Sequence, residues 1–425
     1  MKKNTILSFI IFIIFFYNMT NVIYSQNVIF NKIYKKDIKS VKIFRQGSNI
    51  SYPIIILNGN QKISLIFDEI YNGAKDYSYK IIHCKPDWTV SDLSEQDYLS
   101  GFFENDVSNY NFSFNTLLSY TNYKITIPND NVKITKSGNY AIIVYKNFDV
   151  TDTVLTERFF VAENNCNIKS TITRASIVDK MRSHQKVNFT INSNVTIKNP
   201  FEDIKVVVAK NNIWQTAKTN LKPQYVKDNL LEYNDDMENL FPAGNEFRYF
   251  NTKNLKLKTE NISDITYTKP YYNIILFTDE KRIFKKYFFD KDLNGKFVPD
   301  MRFGDDPNIE ADYTYVYFSL KYPAPLLDDD VYVFGELSNY ETCNRNKMKY
   351  NYEKKQYELK LLLKQGIYNY MYVAKNKKNN KLDFEIFEGN HYETENDYLF
   401  FVYYKSFGNN YYRLLGYDIS NSVNK

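Results

Sequence analysis

Two places in the chain bring together residue types that do chemistry. His83 and Cys84 adjoin in the run Ile81-Ile82-His83-Cys84-Lys85-Pro86-Asp87-Trp88, and imidazole beside thiol is the material of zinc ligation or of an activated nucleophile. Neighbouring side chains on a strand point to opposite faces, so the two cannot share an ion or pass a proton without a bulge. His184 and His391 are the remaining histidines, and a three-histidine zinc site would need all of them to converge from separate blocks. The run is therefore read as structural, with Asp87 fixing a turn after Pro86 and Trp88 folding back over the edge of its sandwich.

The second place is DKDLNGKFVPDM, from Asp290 to Met301. Asp290, Asp292 and Asn294 stand at the first, third and fifth positions of a calcium loop, with Gly295 sixth. Met301 takes the twelfth, so the closing bidentate carboxylate is missing, although Asp300 lies one place early. A tight turn at Asn294-Gly295 is the reading adopted; weak calcium binding through Asp290, Asp292, Asn294 and Asp300 is the alternative. No G-x-S-x-G elbow, P-loop or G-x-G-x-x-G fingerprint occurs. A glycosidase needs only two carboxylates, and sequence alone excludes no pair among 49 acidic residues. The expectation is a protein with no catalytic residue, no metal and no cofactor.

The elements that would position such residues are strands. Aromatics reach 17%, with 39 Tyr and 32 Phe, while 13 Gly and 11 Pro are sparse, and this composition favours pleated, half-buried surfaces. A length of 425 residues suggests two to four domains at about 100–200 residues each. Hydrophobic residues at 44% and charged residues at 24% exclude a disordered chain and a multi-span membrane protein. Lys and Arg total 55 against 49 Asp and Glu, a net +6 too thin for a nucleic-acid binder. Cys84, Cys166 and Cys343 lie far apart, allow at most one internal disulfide, and are read as small buried hydrophobes.

Lys2 and Lys3 precede the apolar run at 6–16, and a more polar stretch ends at Ser25. This pattern is a secretory signal peptide, with cleavage near Ser25 and Gln26 first in the mature chain. Tyr17, Asn18 and Thr20 interrupt the run before the ~18 apolar residues that an anchor needs. No cysteine lies near the cleavage site, so a lipoprotein anchor is not expected. Loss of two lysines leaves 55 − 2 = 53 basic against 49 acidic residues, and the mature chain at +4.

Short alternating or continuous apolar runs fill the rest. About seven strands are predicted between 41 and 163, with a decorated loop at 85–108 that carries one short helix near Ser94 to Leu99. An immunoglobulin-like sandwich over 26–164 follows. A second sandwich is expected over 165–310, with strands at 187, 204, 246, 271 and 282 and an irregular polar segment over 221–244. A third, over 311–425, has strands from 313 to 412, including DFEIF at 383. Tyr322-Pro323-Ala324-Pro325 reads either as a hinge or as a connection inside one sandwich. Asp328-Asp329-Asp330 reads as a solvated turn, or as an acidic patch steering a basic partner. The fold class is all-β, tandem immunoglobulin-like and early-set sandwiches.

IIHCKPDW at 81, YLSGF at 98, SNYNFSFNTLLSYTNYKITIPN at 108, SGNYAIIVY at 137 and ERFFVAE at 157 together resemble the type 9 secretion system plug proteins of Bacteroidetes. WQTAKTNLKPQY at 214, AGNEFRYF at 243 and the Asp292-Leu293-Asn294-Gly295 turn extend the resemblance over nearly the whole mature chain. It implies a non-enzymatic periplasmic subunit, peripheral to the outer membrane through its partner and without direct membrane insertion, that docks on the translocon barrel and plugs its periplasmic opening, and that is monomeric when free. His83, Cys84, Trp88 and Gly101 are then structural residues of the family motifs. VYVFGELSNY at 331 and LKQGIYNYMYV at 363 are similar to a glycogen-binding early-set module, with Tyr340 where that module's first tryptophan would fall.

Recognition commonly sits on loops held by a rigid scaffold, so Tyr98, Phe102 and Phe103 in the decorated loop are the candidate docking residues. A small satellite core tying that loop to its own sheet is the competing role for them. The functional alternative is an exported glycan-binding or adhesion protein.

Overall fold

The computed structural model describes residues 28–423, so the expected signal peptide lies outside the described residues. Strands dominate it. Helices such as Glu95–Tyr98 and Glu385–Glu388 have four residues each, and none among the described residues is long and apolar enough to cross a membrane.

The first sandwich packs two sheets face to face. One runs in the order Lys32–Ile33, Asp149–Ala162, Gly138–Lys146, Tyr77–Cys84 and Glu104–Asp106, with Ile54–Ile56 pairing in parallel to Asp149–Ala162. The other runs Ile38–Arg45, Ile63–Glu69, Thr121–Ile127, Tyr110–Phe112. Period-two alternation supplies the core: Leu65, Phe67, Tyr123 and Ile125 from one sheet meet Tyr79, Ile81, Tyr140 and Ile142 from the other. The short helix forms where expected, because Ser94 and Asp97 close a reciprocal capping box at its start.

The next two sandwiches are not divided at residue 310. Ile204–Lys210 pairs with Asp397–Tyr404, which pairs with Arg413–Asn421. This sheet faces one built from Cys166–Arg174, His184–Ser193 and Leu230–Tyr233. The C-terminal strands thus complete the second core, around Phe189, Val206, Phe400 and Val402. The third core lies between these segments in sequence, from Phe250 to Phe387. It joins a sheet centred on Gly366–Asn376 to one centred on Tyr313–Lys321. Tyr322-Pro323-Ala324-Pro325 connects strands of this one core, since Phe318 and Val331 both belong to it.

Three local expectations need correction. The segment 221–244 contains strands at Tyr225–Lys227, Leu230–Tyr233 and Leu240–Pro242. DFEIF turns into the helix Glu385–Glu388, where Asp383 accepts the Glu385 amide. RIFKKYFF at 282 forms no strand; Arg282 is held by Glu388 and by the Glu246 carbonyl, and the rest runs as an open loop.

The sandwiches are fastened to one another by buried contacts. Asp397–Tyr404 is buried on both faces: Phe400 and Val402 enter the second core, while Leu399, Phe401 and Tyr403 pack on Ile54 and Phe160 of the first sandwich. Burial on both sides explains its unbroken apolar run. First and third sandwiches meet through polar groups. Lys42 pairs with Glu336 and donates to the Phe297 carbonyl at 2.6 Å, while Glu157, its pKa pushed up to about 8 by burial, accepts from the Asn339 amide.

Candidate docking surface

The motif residues fold inward. Tyr77–Cys84 is a central strand of its sheet, so His83 and Cys84 go to opposite faces. His83 lies against the rings of Tyr98 and Tyr140, with Nε2 3.3 Å from the Ser137 carbonyl. Burial pulls its pKa down to about 4, which keeps the imidazole neutral and makes Nε2–H the donor to that carbonyl. The approach is close: a Cβ at Gly138, whose φ is +150°, would fall 2.3 Å from Nε2. Cys84 faces the seam with the second sandwich, and burial pushes its thiol up to about 12, far from a reactive thiolate. All three cysteines are free thiols.

Asp87 accepts the Thr89 amide at 3.0 Å and its hydroxyl at 2.7 Å, which sets the turn that carries Trp88. The indole lies deeper than an edge cover. Its ring meets Phe160 at 5.2 Å and Trp214 of the second sandwich at 5.3 Å, with the Arg158 guanidinium 4.2 Å from its centre. Trp88 therefore seals the joint between two sandwiches. Gly101 has φ +107° and passes so near the Asn131 carbonyl that a Cβ would lie 2.1 Å from its oxygen, which explains glycine there.

The calcium alternative does not assemble. Asp292 turns inward, accepting the amides of Asn294 and Phe247, and burial pushes its pKa up to about 7. Asp300 pairs with Lys253 at 2.7 Å. No cluster of three His, Cys, Asp or Glu suited to a metal occurs among the described residues. Tyr340 is buried, its ring against Phe334, and offers no face on which a sugar could stack.

The decorated loop splits its aromatics. Tyr98 is a core residue, donating its hydroxyl to the Ile81 carbonyl at 3.2 Å; its burial removes it as a docking contact. Phe103 packs partly against the same core. Phe102 alone of the three presents its ring to solvent, at 66% exposure.

A better surface lies at a sheet edge. Tyr110–Phe112 is the outermost strand of its sheet and pairs only with Thr121–Ile127. Lys124 N–H donates to the Asn109 carbonyl and Ser113 N–H to that of Tyr120. With alternation along an antiparallel ladder, this register directs the Asn111 amide groups inward and those of Tyr110 and Phe112 outward. Tyr110, Phe112 and Phe114 are all exposed, the last at 68%, and the first two rings touch at 5.7 Å. Tyr110-Asn111-Phe112 holds no charge and no proline, the usual guards of a free edge, whereas the Phe114 amide beyond it already donates to the Ile309 carbonyl at 2.8 Å. The sequence predicts this strand but not its edge position, because alternation of aromatic and polar residues looks the same in an edge and in a half-buried interior strand.

Residues 38–163, which span this sandwich, match the family model described as the type 9 secretion system plug protein 1st domain. Among solved structures, a hypothetical protein from Parabacteroides merdae is similar at 37% identity, with a TM-score of 0.89 over 92% of this chain and 99% of that one. No curated protein matches the chain.

Proposed function

The chain belongs to the type 9 secretion system plug protein family, and from that premise we propose that it is a non-enzymatic periplasmic subunit that docks on the outer-membrane translocon barrel and closes its periplasmic opening. The observation that carries the reading is the coincidence of the family match at 38–163 with the sandwich that bears the open, aromatic edge Tyr110–Phe112. A wide barrel leaks unless a folded body covers it, and three sandwiches joined through buried contacts keep their shape without metal or cofactor. Docking at the edge is by strand addition: outward amide groups of Tyr110 and Phe112 continue a sheet into a strand of the barrel, and the flanking rings fill its pockets.

Pull-down from detergent-solubilised outer membranes tests this. The wild-type chain retains the barrel. Phe112→Pro removes an outward N–H without taking a bond from the inner ladder, and a partner Phe114→Ser removes a ring. Both variants keep the melting temperature and lose barrel, each by ~2 kcal/mol or more if the edge is a binding hot spot. Retention on a polysaccharide column with no barrel recovered would replace this reading with the glycan-binding one.

A further inference from the structure

The loop at 281–291 carries an independent surface. Its sequence, KRIFKKYFFDK, holds five basic residues against one acidic residue. The inner side is pinned: Arg282 donates to Glu388 at 2.7 Å, its own amide meets the Phe387 carbonyl at 2.6 Å, and the Tyr287 hydroxyl meets Glu246. The outer side is apolar. Phe284 is 86% exposed and Phe288 78%, with Phe289 beside them. Phe277 and Phe288 line one recess of about 290 Å³ together with Lys285 and Lys286, with Glu246, Asp279 and Asp290 also in its wall, and the Lys281 ammonium lies 5.5 Å from the centre of the Phe284 ring. Glu280 pairs with Lys285 at 3.2 Å. Among the described residues no salt bridge engages Lys281, Lys286 or Lys291.

We propose that this loop seats the protein on an anionic phospholipid surface. Phenylalanine has no polar tip to keep hydrated, so rings held out by a pinned loop lower the free energy by entering the acyl boundary of a bilayer. Cations between the rings then stand at headgroup depth, where anionic lipid attracts them. Exposed Phe284 and Phe288 interleaved with Lys281, Lys285 and Lys286 on one face match the apolar-plus-cationic pattern of an interfacial lipid contact. The surface goes beyond docking on the barrel and does not depend on it, because vesicles hold no barrel.

Co-sedimentation of the purified mature chain with phosphatidylcholine vesicles, and with vesicles containing phosphatidylglycerol, tests the proposal. Binding is expected to the anionic vesicles and to weaken with salt. The pair Lys281→Gln with Lys286→Gln should lower partitioning by about thirtyfold, and the pair Phe284→Ser with Phe288→Ser should also lower it, both at unchanged melting temperature. Phe284→Trp gives a second readout, a blue-shifted emission quenched by brominated acyl chains. No sedimentation with anionic vesicles, or no emission shift, overturns the proposal. So does a loss of barrel in pull-downs from the serine variants while their vesicle binding stays at the wild-type level, which would make the loop a protein contact.

Discussion

The ammonium of Lys364 lies 2.7 Å from the carboxylate of Asp68, both side chains sealed from solvent, and the pair bolts the third sandwich to the first. Asp68 also accepts from the Tyr313 hydroxyl at 2.6 Å and the Asn122 amide at 2.6 Å, while Lys364 donates to the Asn308 carbonyl at 2.5 Å. The pair is thus hydrogen-bonded on both sides of the seam between the two sandwiches.

Breaking that pair from one side leaves an uncompensated buried charge. Lys364→Met should destabilise by ~3–5 kcal/mol, and Asp68→Asn with Lys364→Met together by less than the sum of the single changes. Urea denaturation of the three variants measures the coupling. Strict additivity would mean that the two groups do not act as a pair.

His83 supplies a pH dependence with a definite sign. Its folded pKa of about 4 lies below the ordinary imidazole value of 6.5, so between those limits the unfolded chain holds a proton that the folded chain refuses. Its contribution is therefore full above about pH 6.5 and falls by up to ~1.4 kcal/mol per pH unit toward pH 4. Glu157 and Asp292, raised to about 8 and about 7, slope the opposite way, so the readout is the difference between wild type and His83→Gln. That difference should change across this window and be flat above it; a constant offset from pH 4 to 8 would refute a neutral buried imidazole.

Trp88→Ala empties the joint between the first and second sandwiches, where the indole touches Phe160 and Trp214. A loss of ~3–5 kcal/mol is expected, read as a lower melting temperature. An unchanged melting temperature would place the ring in solvent.

Strand positions were legible wherever apolar residues alternate, as in Ile63–Glu69 and Thr121–Ile127, because period two is written locally. Partners were not. Nothing local in YLFFVYY says that it pairs with IKVVVA, although its continuous apolar run does signal burial on both faces. RIFKKYFF failed for the opposite reason: its aromatics suit a strand, but Arg282 and Tyr287 are tied to Glu388 and Glu246 and leave no ladder to join. The opposite faces of His83 and Cys84 followed from strand geometry alone, whereas the burial of Tyr98 depended on how the loop returned over its sheet.

The most direct test of the plug is outer-membrane permeability in a strain that lacks this chain. The translocon should still assemble, and small hydrophilic antibiotics and dyes, normally excluded, should enter in proportion to translocon number, with wild-type protein restoring the barrier and Phe112→Pro failing to do so. A deletion strain that excludes antibiotics as well as its parent would contradict it.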